Sequence, residues 1–173
     1  ALKIKKSVDQ QRSGDAVWGT AFCMHTSGPS NKSGLSSASI YLNRDGSIQL
    51  NLGTADIGQG SETALAQVAA EMLYLPLSKV NVHAGDTQST PYDTGTFASS
   101  QMFVGGNAVV MAAHDVLTSL TRALAETKID DPAANAFDDG LFTVAGEKFN
   151  LPQTAALVLY GTRGCVLIGA GSF

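Results

Sequence analysis

Charge is scarce in this chain, and so are histidine, cysteine and tryptophan. Only 15 % of its 173 residues are charged, 11 basic against 15 acidic, for a net charge of −4. That balance argues against a general nucleic-acid or anionic-membrane surface. The two cysteines, Cys23 and Cys165, sit in apolar surroundings with no CxxC or other metal spacing. They read as buried free thiols of a reducing, cytoplasmic compartment rather than as a disulfide framework. His25, His83 and His114 fall far apart, on two strand patterns and a helix, so they are expected to be packed or solvated rather than metal ligands. No apolar run approaches the roughly 20 residues of a membrane helix, and the opening ALKIKKSVDQ has no secretory apolar region. The expectation is one soluble cytoplasmic domain, with no nucleic acid and no membrane as partner.

What is present is an apolar fraction of 44 %, enough for a real core, with 18 glycines. Residues 1–15 read as a loose polar lead-in, and VWGTAFCMHT (17–26) reads as a strand with Trp18 and Phe22 in the core. Ala38, Ile40 and Leu42 alternate with polar neighbours, NRDG turns the chain, and Ile48, Leu50 and Leu52 alternate again. That is a hairpin with one buried face. After Gly60 the period changes to helical through Ala64, Leu65, Val68, Ala69, Met72 and Leu73, with Ser61 placed to cap the start and Pro76 to stop it. KVNVHAG (79–85) is a short strand and DTQSTPYDTGT an irregular loop. From about Ser100 a second apolar stripe runs through Val104, Ala108, Ala112, Val116, Leu120 and Leu124, a helix of roughly six turns. DDPAANAFDDG (130–140) reads as a loop, LFTVAGEKFN as a smaller hairpin, LPQTAALVLYG as a short helix and CVLIGAGS as a closing strand. The fold class expected is α+β: a mixed sheet with a β-hairpin, two main helices and short connecting strands.

Two glycine-bearing turns run straight into the two main helices. A helix start exposes unpaired N–H groups and the positive end of the dipole, which suits anions, phosphate above all. In GQGSETALAQ the amide of Gln59, between Gly58 and Gly60, is placed to project from a bare turn and meet a heterocycle edge. In TGTFASSQ the hydroxyls of Thr96, Ser99 and Ser100 gather with backbone N–H groups at the mouth of the long helix, a set suited to phosphate. Neither turn carries the lysine of a Walker loop or the spacing GxGxxG. Taken singly, each is ordinary; taken together they point to one anionic, heterocyclic ligand. Asp86 and Asp93 flank the intervening loop, and hydrogen bonding within the turn explains Asp86 and Thr87 better than a catalytic carboxylate pair does.

Read in order, the DGSIQLNLGTADIGQG hairpin, the SETALAQVAAEML helix, the LPLSKVNVHAGDT strand, the TPYDTGTFASSQ loop and the GGNAVVMAA helix resemble the molybdopterin-binding domain of the xanthine dehydrogenase/aldehyde oxidase family of molybdenum hydroxylases. The resemblance covers roughly residues 17–125 and returns at LPQTAALVLY and GAGSF. It implies that residues 16–173 are part of such a domain. It also implies that the chain contributes part of the site for molybdopterin, or its cytosine dinucleotide form. The cofactor-facing positions implied are Gly58, Gln59 and Gly60 at the pterin and Thr96, Phe97, Ala98, Ser99, Ser100 and Gln101 at cofactor oxygens and phosphate. Many members carry arginine where this sequence has Ser100, so backbone N–H groups supply more of the phosphate binding here.

The reaction the resemblance implies is hydroxylation of an N-heterocycle or an aldehyde with water as oxygen source. Electrons leave through iron–sulfur clusters and FAD on other domains or subunits, and the rest of the molybdenum-binding region is a further partner. The cofactor supplies the hard chemistry and the protein orients it. The apolar end at Phe173 suggests a piece cut from a longer polypeptide, truncated at its C-terminus. Glu62, Glu71, Glu126 and Glu147 fall in no motif matching the family's general base. No catalytic and no metal-ligating residue is therefore expected within the chain, and the piece alone is expected to be inactive. Two other readings stay open: a non-redox nucleotide- or phosphate-binding module, and a naturally split molybdopterin-binding subunit.

Overall fold

The computed structural model describes residues 34–126, 137–144, 146–161 and 167–173. The lead-in, the strand expected over 17–26 and both cysteines lie outside these residues. In chain order the elements are β1 (Ser37–Leu42), β2 (Ile48–Leu52), α1 (Ser61–Met72), β3 (Val80–Ala84), α2 (Gln101–Glu126), β4 (Phe137–Asp138), β5 (Leu141–Val144), β6 (Glu147–Asn150), α3 (Leu151–Gly161) and β7 (Ile168–Ser172). The class is the expected α+β.

The hairpin forms as the alternation requires. β1 and β2 pair antiparallel, setting Ala38 opposite Leu52, Ile40 opposite Leu50 and Leu42 opposite Ile48. All six side chains are buried, and each of the larger ones stabilises the fold by about 1.5–3 kcal/mol through leaving water. β3 joins parallel to β2 and β7 antiparallel to β1, which gives a mixed sheet of order β3-β2-β1-β7. The opposite face is polar: the Ser37 and Ser172 hydroxyls meet at 3.0 Å, and Asn51 donates to Ser39 at 3.3 Å. A second, small sheet, β4-β5-β6, buries Phe142 and Val144.

Helix α2 lies on β7 more closely than side chains normally allow. A Cβ at Gly171 would stand 2.2 Å from the Ala108 carbonyl oxygen, and one at Gly169 would stand 2.2 Å from the Ala112 carbonyl oxygen. Helix backbone therefore rests directly on strand backbone, with Ala108, Ala112 and Val116 fully buried at the contact. Glycine is required there because nothing else leaves room. By length and hydropathy α2 also meets the description of a membrane span, although no unbroken apolar run suggested one. However, 56 % of that stretch is buried inside the fold, and its apolar face is taken by the sheet and α1.

Three local expectations need correction. Ser61 is not the cap of α1; it is the first helical residue, and the capping position is Gly60, in left-handed conformation at φ 75°. Pro76 does not stop the helix either. Leu75 N–H donates to Ala70 C=O at 2.9 Å and Tyr74 N–H to Glu71 C=O at 3.2 Å, a Schellman ending built on Tyr74 at φ 52°. A tyrosine holds this conformation because its ring is fixed from outside: it packs edge-on against Phe137 at 5.8 Å, and Gly140 leaves the space its ring fills. Finally, Phe137 and Asp138, expected in a loop, pair with Phe142 and Leu141 as strand β4.

The α2–β7 contact gives a sharp test. Gly171→Ala is expected to lower unfolding free energy by about 3 kcal/mol, the upper end of overpacking costs, because the new methyl meets backbone. Ala170→Val, on the exposed face of the same strand, is expected to change it by less than about 0.5 kcal/mol. Urea denaturation of both variants measures the difference; equal midpoints would refute the close approach.

Candidate functional site

The two glycine-bearing turns meet at one backbone atom. β2 is followed by Gly53, where a Cβ would lie 2.3 Å from the Pro91 carbonyl oxygen, so the loop after β3 runs hard against the strand end. The same loop is tied on its far side: Ser36 bridges Asp93, and Thr94 N–H donates to Leu35 C=O at 2.9 Å. Held from both sides, it delivers Thr96 to the first turn. The Thr96 hydroxyl donates to Ala55 C=O at 2.6 Å, and the Gln101 side-chain amide lies 3.1 Å from that hydroxyl. From the other turn, Gln59 Nε2 donates to the same Ala55 carbonyl at 3.2 Å. The expected juxtaposition of Gly58–Gly60 with Thr96–Gln101 is present.

Within each turn the side chains are disposed differently from the sequence reading. The Gln59 amide folds back instead of projecting: its Oε1 accepts Ile57 N–H at 2.6 Å, and its Nε2 also donates to Ser61 Oγ at 3.1 Å. Of the three hydroxyls expected at the mouth of α2, two are engaged inward. Thr96 serves Ala55, and the buried Ser100 donates to Phe97 C=O at 2.8 Å. Ser99 is exposed. Ala98 and Ser99 are successive left-handed residues, at φ 51° and 53°, a conformation that costs a non-glycine residue about 1–2 kcal/mol. Phe97 is exposed beside them. Where a Cβ would project from Gly58, Gly60 or Gly95 there is nothing within 4 Å, so the surface over both turns is open to a ligand.

The sequence reading missed Asp56 and the Ala55 carbonyl. Asp56 Oδ1 accepts the N–H of Gly58 at 2.7 Å and of Gly60 at 3.4 Å, and Oδ2 accepts that of Glu62 at 3.5 Å. These bonds, that from Gly58 foremost, hold its carboxyl below the usual carboxylate range. The signal was in the string ADIGQG: an aspartate two residues before a glycine is an Asx-turn pattern. Glu62 adds a second carboxylate in the first turn of α1, while the first turn of α2 has none. One helix start therefore carries its own anions and the other does not.

Asp86 and Asp93 do not form a carboxylate pair. Asp93 accepts Gly95 N–H at 2.6 Å. Asp86 accepts Gln88 N–H at 2.9 Å and the Ser89 hydroxyl, and the Ser89 bond is the largest cause of its lowered pKa. His83 Nε2 lies 2.7 Å from Ser89 Oγ. Because the serine proton goes to Asp86, the imidazole must be the donor to Ser89. That polarity is the reverse of an activated nucleophile, and the cluster fastens its loop. Among the described residues no group of histidine, cysteine and acidic side chains is arranged to hold a metal. A cavity of about 380 Å³ adjoins Ala55, lined by Gly53, Gly85, Thr87, Thr90 and Tyr92. A larger groove of about 870 Å³ lies towards the other end of α2, at His114, Leu117 and Arg122, and includes none of the expected site residues.

The profile of the molybdopterin cofactor-binding domain matches residues 2–171. The chain belongs to that family. It is 40 % identical over 80 residues to a xanthine dehydrogenase molybdenum-binding subunit of Escherichia coli, covering 46 % of this chain and 11 % of that one. To the aldehyde oxidoreductase molybdenum-binding subunit of the same species it is 33 % identical over 121 residues, 70 % of this chain and 16 % of the other. Its fold matches CO dehydrogenase from Oligotropha carboxidovorans with a TM-score of 0.69 at 24 % identity, over 80 % of this chain and 18 % of that chain. The chain thus spans under a fifth of the length of these relatives. The family resemblance read from the motifs holds, and nothing in these likenesses favours a non-redox nucleotide module.

The turn carboxylates make stability depend on pH with a definite sign. Asp45, Asp56 and Asp86 are all lowered in the fold. Their contribution is therefore complete above the unfolded aspartate value of about 3.9 and is lost as pH falls through the folded values. A melting series is expected to show the transition temperature dropping below about pH 4, and Asp86→Asn to flatten that drop. A slope unchanged by the substitution would contradict the assignment.

Proposed function

We propose that this chain forms one wall of the cofactor site in a molybdenum hydroxylase, with Gly58, Gln59 and Gly60 at the pterin. Thr96, Phe97, Ala98, Ser99, Ser100 and Gln101 present the start of α2 to the phosphate. The observation that carries the reading is the shared Ala55 carbonyl, which brings an amide-bearing turn and an acid-free helix start within reach of one ligand. The open space over Gly58, Gly60 and Gly95 fits a flat ring system. The unpaired N–H groups of the first α2 turn, with the exposed Ser99 hydroxyl, fit a phosphate or pyrophosphate.

When bound, the molybdenum cofactor supplies hydroxylation of an N-heterocycle or aldehyde carbon with oxygen from water. The residues of this chain bind and orient. Gln59 exchanges its bonds to Ile57 and Ser61 for the ring edge, and the backbone N–H groups of Ser99, Gln101 and Met102 receive the phosphate, that of Ser100 being held by Phe97 C=O. The remaining molybdenum-binding region, and iron–sulfur and FAD centres on other domains or subunits, complete the enzyme, which we place in the cytoplasm. The cytosine dinucleotide form fits the same turn, since the pyrophosphate meets the same N–H groups.

Metal and pterin analysis of the whole protein, purified from its source, tests this reading. About one molybdenum and one pterin per chain are expected in the wild type. Ser99→Asp is expected to lower both about tenfold by placing a negative charge beside the phosphate at a helix start that carries none, whereas Ser99→Asn leaves them unchanged, both residues tolerating the left-handed backbone. Equal cofactor content in the two variants, or none in the wild type, would overturn it.

A further inference from the structure

The two helix starts sit one hydrogen-bonded carbonyl apart, yet their electrostatics are opposite. At α1 the capping residue, Gly60, has no side chain to offer the helix. Asp56, four residues upstream, takes the role: one carboxylate gathers N–H groups from Gly58, Gly60 and Glu62. Backbone N–H groups gathered around one point make a concavity in which proteins hold anions, and here N–H groups of alternate residues gather on an anion that is part of the chain. Glu62 is exposed in the same turn and adds to the negative charge. A phosphate approaching α1 meets two carboxylates and a concavity already filled; approaching α2 it meets N–H groups and Ser99.

We infer that Asp56 is a positioning and specificity-determining residue of this site: it closes the start of α1 to phosphate, and it holds the Gly58–Gly60 turn in the shape that carries Gln59. A ligand with a neutral heterocyclic end and an anionic end is thereby given one orientation, ring to Gln59 and phosphate to Ser99. The inference rests on the cofactor site proposed above and deepens it by naming what sets the ligand's direction. Asp56 acts through the turn and through charge, not by touching reacting atoms. Removing it exposes the N–H groups of Gly58 and Gly60, and the site then offers two competing anion-binding helix starts.

The test uses the whole holoenzyme and follows the rate of pterin loss during dialysis, with circular dichroism as the check on folding. Asp56→Gly is expected to lose pterin about tenfold faster than wild type, as the loss of charge-assisted bonds implies. Formate at millimolar concentration, filling the vacated concavity, is expected to slow that loss, and inorganic phosphate to accelerate it in the variant but not in the wild type. A merely structural role predicts no response to either ion. Should Asp56→Gly fail to fold, Asp56→Ala carries the same test, since it vacates the same concavity and removes the same charge while restricting the backbone more than glycine does. Wild-type loss rates in a folded variant, or faster loss without a response to formate and phosphate, would overturn the inference while leaving the cofactor site standing. A wild type without pterin would instead overturn the site itself.

Discussion

Everything at the site depends on how closely α2 approaches β7. Because Gly169 and Gly171 have no side chains, helix backbone rests on strand backbone at Ala108 and Ala112, and a helix of 26 residues has little freedom to tilt or slide. Its start is therefore placed as firmly as the sheet is. β1 pairs with both β7 and β2, so the end of β2, with Gly53 and Ala55, is fixed relative to the same helix. The 2.6 Å bond from Thr96 to Ala55 joins two elements already held in register. It is a consequence of the core and needs little strength of its own.

On that frame the chain places two helix starts of unlike character. Both expose N–H groups, as every helix start does, and the sequence sets them apart only by the amide of Gln59 at one and the hydroxyls at the other. Resident charge makes them unlike. Asp56 and Glu62 load the start of α1, and no acidic side chain stands in the first turn of α2. For a ligand such as molybdopterin, with a ring at one end and phosphate at the other, that asymmetry supplies a direction. The left-handed pair Ala98–Ser99 belongs to the same arrangement: it turns the chain so that Ser100 is buried and Ser99 faces outward.

Much of this was legible before any coordinates. The hairpin was legible because alternation has only one physical solution when one face is buried, and both main helices showed a continuous apolar stripe. Family membership followed from motif order. What escaped were features set by contacts distant in sequence. Tyr74 ends α1 in a left-handed conformation because Phe137 and Gly140 receive its ring, and no local preference of tyrosine announces that. Strand β4 exists because β5 is beside it. Gln59 was rightly marked as an amide in a bare turn, but its three bonds to Ala55, Ile57 and Ser61 depend on the turn's closed shape. Asp56 was visible as a pattern and passed over, because an aspartate near glycine reads first as turn chemistry.

The central claim is one of direction, and the most direct measurement is a crystal structure of the whole protein with its cofactor bound. The expected result is phosphate oxygens within hydrogen-bond distance, about 2.7–3.2 Å, of the Ser99, Gln101 and Met102 N–H groups, the ring system over Gly58–Gly60, and the Asp56 carboxylate still bonded to Gly58. A phosphate seated at the start of α1, with Asp56 displaced, or a cofactor touching neither turn, would contradict it.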